Sequence, residues 1–136
     1  MLALADIVAR IRDQAPAVRH VAHGLAAAEA PPAYPAVYVY PLSESADPAP
    51  TVGPIRQRVV LRIATEIIVS SARGAGRGEG AVEAAETARA AVIAALTGWQ
   101  PSWAEEPLQH RQGRLVTLEA GWASWRDEFE TVTWRQ

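Results

Sequence analysis

Over the first helix-length of chain the apolar positions Leu4, Ile7, Val8 and Ile11 recur at helical spacing, while Asp6, Arg10, Arg12 and Asp13 fall off that stripe. The pattern predicts an amphipathic helix over residues 2–14, ended by Pro16. Val18 to Ala28 keeps Val21, Ala22 and Leu25 at similar spacing, but Gly24 and Pro31-Pro32 interrupt it, so a short helix and an irregular turn both fit. From Ala36 the period changes. The run Ala36-Val37-Tyr38-Val39-Tyr40-Pro41-Leu42 is β-branched and aromatic, with prolines at 35 and 41, as in an edge-type strand. Residues 43–54 collect Ser, Asp, Gly and proline and predict a long exposed loop.

Ile55 to Ser70 is the longest strand signal. Strict alternation puts Val59, Leu61, Ile63, Thr65, Ile67 and Val69 on one face and Arg58, Val60, Arg62, Ala64, Glu66 and Ile68 on the other. The first face is core; the second mixes Arg62 and Glu66 with Val60 and Ile68, the composition of a face that is partly solvated or meets a neighbour. Residues 71–80 form a Gly/Arg loop leading into a helix over 81–97, with Ala81, Ala85, Ala88, Val92 and Leu96 along one side and Glu83, Glu86 and Arg89 along another. Gly98 is placed to close that helix in a left-handed conformation and Pro101 to prevent its restarting, which fixes Trp99 at the exit. A polar connector through Glu105-Glu106-Pro107, a short strand near Leu108–Arg111, a turn at Gly113, a strand over Arg114–Ala120 and a last strand over Trp125–Trp134 follow. The predicted class is α+β: a mainly antiparallel sheet with an N-terminal amphipathic helix, one long helix packed on the sheet and a C-terminal β-hairpin. Residues 1–136 read as a single domain.

Composition narrows the function classes. The absence of cysteine excludes disulfides, thiol nucleophiles and thiolate metal sites. A net charge of −2 does not argue for a nucleic-acid surface or an anionic-membrane binder. All 13 basic residues are arginine, with no lysine and no asparagine. Arginine suits forked contacts at interfaces, but codon bias in a GC-rich genome accounts for the pattern more simply. No run approaches the roughly 20 apolar residues that span a bilayer, and Asp6 stands where a signal peptide carries basic residues. A soluble protein made in the cytoplasm is expected.

Each candidate chemistry has a bland competitor. Gly76-Arg77-Gly78-Glu79-Gly80-Ala81 formally fits a dinucleotide loop, but the helix after it leads to Gly98 and a polar connector rather than to a second parallel strand with an acidic ribose ligand. Without lysine there is no P-loop. His20 and His23, with His110 as a third ligand, lack a nearby carboxylate and read as surface histidines. The acids Glu105-Glu106, Asp127-Glu128 and Glu130 find no convergent partner and read as solvated or lumen-facing charge. All five tryptophans lie between Trp99 and Trp134; rings with Arg126 and Arg135 beside them could stack on single-stranded nucleic acid, but the interleaved acids favour core or interface packing. No catalytic residue, cofactor site or metal site is assigned.

Ala95-Leu96-Thr97-Gly98-Trp99-Gln100-Pro101 after an alanine-rich helix, Gly113 before a strand, and Trp125-Arg126-Asp127-Glu128-Phe129 in the last strand resemble the tail terminator proteins of long-tailed phages. More narrowly, with an amphipathic first helix and the approach Pro31-Pro32-Ala33-Tyr34-Pro35-Ala36-Val37, the chain resembles the Mu-type tail completion family. The likeness runs along nearly the whole chain, although the loops 43–54 and 71–80 fit no family pattern.

The resemblance implies a virion protein, assembled in the host cytoplasm, that caps the tail tube as a hexameric ring, ends tube polymerisation and forms the surface for head-tail joining. Its implied partners are further copies of itself, the tail tube protein and a neck or head-tail connector protein, with DNA passing through the ring without specific binding and no membrane involved. Ring interfaces favour Trp, Tyr and Arg. The interface candidates are therefore Arg62, Glu66, Arg73, Arg77, Trp122, Trp125 and Arg126. The alternatives are another neck or head-tail joining protein and a small ligand-binding or enzymatic α+β domain. Mass in solution separates these, because an enzyme has no need of a six-fold species.

Overall fold

The chain forms, in order, α1 (Leu4–Gln14), β1 (His20–His23), β2 (Ala36–Ala46), β3 (Gln57–Ser70), α2 (Glu79–Leu96), β4 (Gln109–Glu119) and β5 (Trp122–Arg135). The structure is a computed structural model and describes residues 4–24, 31–48, 53, 56–70, 79–119 and 122–135. The strands make one five-stranded sheet in the order β1-β2-β3-β5-β4. β2 with β3, β3 with β5 and β5 with β4 are antiparallel, whereas β1 runs parallel to β2.

This corrects the expectation of a mainly antiparallel sheet: the sheet is mixed. The correction lies in residues 18–28, for which a short helix or a turn was expected. His20–His23 instead pairs with Ala36–Val39, with Arg19 N–H and His20 N–H donating to the Pro35 carbonyl and Gly24 N–H to the Val39 carbonyl. Val21, 6% exposed, enters the core beside Val37. Four residues with one buried side chain are too few to display a period, so tertiary pairing decides their conformation.

The core lies on one side of the sheet. Ile7, Val8 and Ile11 of α1, Ala85, Ala88, Val92 and Leu96 of α2, and Val37, Val39, Ile63, Ile67, Val69, Ala123 and Phe129 of the strands belong to one buried cluster. Each fully buried Ile or Phe here contributes about 1.5–3 kcal/mol relative to an exposed position. The two helices also meet directly: Arg10 Nε donates to the Ala95 carbonyl at 2.9 Å and its guanidinium stacks over Trp99 at 5.4 Å. Gly98, at φ 83°, takes the left-handed conformation that ends α2.

Residues 99–108, expected to be a polar connector, are instead sewn to the sheet. Gly98 N–H donates to Leu108 C=O and Leu108 N–H to Trp99 C=O, both at 2.8 Å, and Glu105 N–H donates to Val132 C=O at 2.7 Å. Thr133 Oγ1 donates to the Trp103 carbonyl at 2.9 Å and Thr131 Oγ1 to that of Glu106. Ala104 and Leu108 are buried while Glu105 and Pro107 stay exposed. The isolated apolar positions of this stretch carry no periodic signal. β2 likewise continues to Ala46, into the expected 43–54 loop, and β4 runs unbroken in sequence through Gly113, where a turn was expected.

Leu61, 2% exposed, sits at the buried centre of β3. Its replacement by Ala is expected to cost about 2–5 kcal/mol, read as a lowered midpoint in chemical denaturation. An unshifted midpoint would show that the site is not close-packed.

Candidate functional site

Strand alternation makes the two faces of the sheet chemically different. On the helix side, Asp127 of β5 is fully buried and held by three bonds. Arg89 of α2 donates from Nε to Oδ2 at 2.9 Å and from Nη2 to Oδ1 at 2.7 Å, the forked geometry that makes arginine–carboxylate pairs strong. His110 Nε2 lies 2.8 Å from Oδ1. The Arg89 guanidinium also lies 4.3 Å from the centre of the Trp125 ring. Gly113 of β4 is opposite Asp127, and a Cβ there would collide with the Asp127 carboxylate and the Arg89 guanidinium. Thus β4 carries glycine at mid-strand because the ion pair fills the space of a side chain.

The opposite face contributes nothing to the core cluster and carries a polar ladder. Arg62 donates from Nε to Glu130 at 3.2 Å and lies 3.9 Å from Glu128. Tyr40 donates to Glu66 Oε1 at 3.1 Å and accepts from Arg126 Nη1 at 3.4 Å. Burial raises the Tyr40 hydroxyl above its ordinary value, the Arg126 hydrogen bond works against that and Glu66 adds to it, so the hydroxyl keeps its proton near neutrality. Contact with Tyr40 raises Arg126 further above its usual range. Gln112 adds a bond to Glu128 at 2.9 Å. Arg126 Nε is buried without a partner among the described residues. Apart from the exposed Gln112 these side chains are half-buried, neither core nor freely solvated.

Of the sequence-predicted interface residues, Arg62, Glu66 and Arg126 come together on this face. Trp122 shares it by alternation, at the hairpin end of β5, with its indole N–H donating to Glu119 at 2.8 Å. Trp125 points the other way, beneath Arg89. Arg73, Arg77 and the 71–78 part of the glycine loop lie outside the described residues, as do most of residues 49–55. Asp127, read from sequence as solvated, is the most enclosed charge of the site. Its signal was present in the glycine inside an otherwise strand-like run, and the helix position of Arg89 gave no hint of its partner.

Among the described residues no group of three His, Asp or Glu side chains could hold a metal. His20 and His23 are three apart on a strand, hence on opposite faces, and His110 is at the other edge of the sheet. Among the described residues no helix is long and apolar enough to cross a membrane.

The family model for the phage tail terminator protein matches residues 1–136. The chain therefore belongs to the phage tail terminator family. A chain in the solved virion of native gene transfer agent (GTA) particle shares its fold, with a TM-score of 0.60 and 18% identity over 95% of this chain and 92% of that one. At that identity the likeness is one of fold. No curated protein matches the sequence.

Removing one partner of the Arg89–Asp127 pair should be costly, because it strands a fully buried charge. Arg89→Met is expected to lose about 3–5 kcal/mol of stability. The double variant with Asp127→Leu should recover most of it, measured by urea denaturation. Additive losses in the double variant would show that the two residues do not act as a pair.

Proposed function

We propose that this protein caps the tail tube of a long-tailed phage, prophage or tail-like particle as a hexameric ring. In this reading it ends tube polymerisation, offers the surface on which the head docks, and works without catalysis or cofactor. It is assembled in the host cytoplasm and enters the virion between the tail tube protein and a neck or head-tail connector protein, and DNA passes through it without specific binding. The observation that carries the reading is the family match along the full 136 residues. The Mu-type tail completion subgroup is the proposed placement within the family, on the residues around Gly98-Trp99-Gln100-Pro101 and Trp125-Arg126-Asp127-Glu128-Phe129.

The half-buried sheet face supports the assembly role. Arg62, Glu66 and Arg126 are proposed to meet a neighbouring subunit there, with Trp122 at its rim. Trp125, Arg73 and Arg77 remain proposed contacts of the hairpin and of the 71–80 loop. A partly exposed ladder of alternating charge adds little to folding but discriminates strongly between right and wrong partners.

Loss of the protein is expected to leave heads and tails unjoined, with tails of irregular or excessive length in negative-stain images. Head-joined tails of normal length from a deletion strain would overturn the reading. Tails of normal length that lack heads would move it to another head-tail joining protein. Arg62→Glu should impair ring assembly, read by sedimentation, far more than it lowers the denaturation midpoint. Normal rings from that variant would remove Arg62 from the interface.

A further inference from the structure

β4 is the edge of the sheet; Leu115 and Leu118, opposite Trp125 and Ala123, lie on its helix face at 41% and 46% exposure, with Val116 at the shift between them at 44%. Arg111 and Arg114 are exposed on the same strand, and among the described residues neither takes part in an ion pair. Arg114 also stands directly opposite Arg126 across the β4–β5 ladder. Like charges in that position repel, and an incoming carboxylate would relieve them. The edge itself is poorly suited to a long added strand, because the β4 register shifts between His110 and Gln112 and again between Leu115 and Thr117. Such interruptions break the row of backbone groups that strand addition needs. What β4 offers a partner is therefore side chains astride the edge: Arg114 on the polar face and Leu115 and Leu118 on the helix face.

A surface of complementary chemistry lies on the other flank of the same subunit. α1 packs against β1, β2 and α2, away from β4, and its outer residues Asp6, Ala9 and Asp13 line an open groove with Trp99 and Gln100. Asp6 and Asp13 are exposed and form no ion pair among the described residues. Arg10, also in the groove, is already held by the Ala95 carbonyl and the Trp99 ring. The groove therefore presents two acids, with Arg10 between them, beside Ala9 and Trp99.

We infer that the β4 edge of one subunit inserts into the α1–Trp99 groove of the next copy of this chain, with Arg111 and Arg114 meeting Asp6 and Asp13 and, from the other face of the strand, Leu115 and Leu118 reaching Ala9 and Trp99. The contact is heterologous, joining different patches on opposite flanks, and a contact of that type closes into a ring where its rotation returns to the start. It rests on the ring reading above and adds a further contact between neighbouring copies to the one proposed for the Arg62 face.

The test is a charge exchange on the full-length protein, with sedimentation velocity across a concentration series as the readout. Arg111→Glu with Arg114→Glu, and separately Asp6→Arg with Asp13→Arg, are each expected to raise the concentration for half-assembly by about tenfold or more. Combining all four substitutions in one chain restores opposite charges at every junction and should bring assembly back towards wild type. Circular dichroism and denaturation midpoints of the variants should stay near wild type, since all four positions are exposed. Assembly untouched by either reversed pair, or a four-fold variant no better than the worse pair, would overturn the docking while leaving the ring intact. A wild-type chain that never self-associates, free or on purified tail tubes, would overturn both.

Discussion

The architecture depends on a buried, forked ion pair. Asp127 has no access to water, and the desolvation of its carboxylate is offset only because Arg89 meets both oxygens and His110 meets one of them again. Such a pair gains its geometry from three elements at once: α2 supplies the arginine, β5 the carboxylate and β4 the histidine and the glycine that makes room. A hydrophobic contact could hold α2 near the hairpin, but it would tolerate a slide of one helical turn. The fork does not. It fixes where the hairpin stands relative to the core, and the exposed edge inherits that position.

The other sheet face follows a different logic. Its residues are bonded mainly to one another: Arg62 to Glu130, Tyr40 to Glu66 and Arg126, Gln112 to Glu128. That network pairs most charges of the face within one subunit, yet among the described residues Arg126 Nε has no partner. A surface of this kind holds a fixed pattern of charge before any partner arrives, so little side-chain ordering remains to be paid for when one does.

Much of this was legible in the sequence where a period was long enough to read. The alternation from Val59 to Val69, the stripe Leu4-Ile7-Val8-Ile11 and the Gly98 exit each correspond to buried rows or to a left-handed glycine in the structure. The mixed composition around Arg62 and Glu66 also gave away the second face. What stayed hidden has no period. β1 is four residues long, and its parallel pairing made the sheet mixed; the connector 99–108 is held by backbone and threonine hydrogen bonds to residues some 25–30 positions on. The Arg89–Asp127 pair spans 38 positions and two kinds of secondary structure, so neither partner betrays the other. Gly113 was read as a turn because glycine usually marks one; here it marks a neighbour's bulk.

The two register shifts in β4 bear on a hazard of assembly. A straight, fully regular edge strand with exposed leucine and valine is a template, and each added strand recreates the same edge, so growth has no natural end. In β4 the longest run of pairing without a shift is Gln112–Leu115. The backbone therefore cannot propagate a ladder from copy to copy, and any association must satisfy side chains at a set angle. Growth at a set angle stops where that angle closes a ring, whereas growth along a ladder becomes a fibre. A component proposed to bring one polymer to its end thus carries, in its own edge, a safeguard against beginning another.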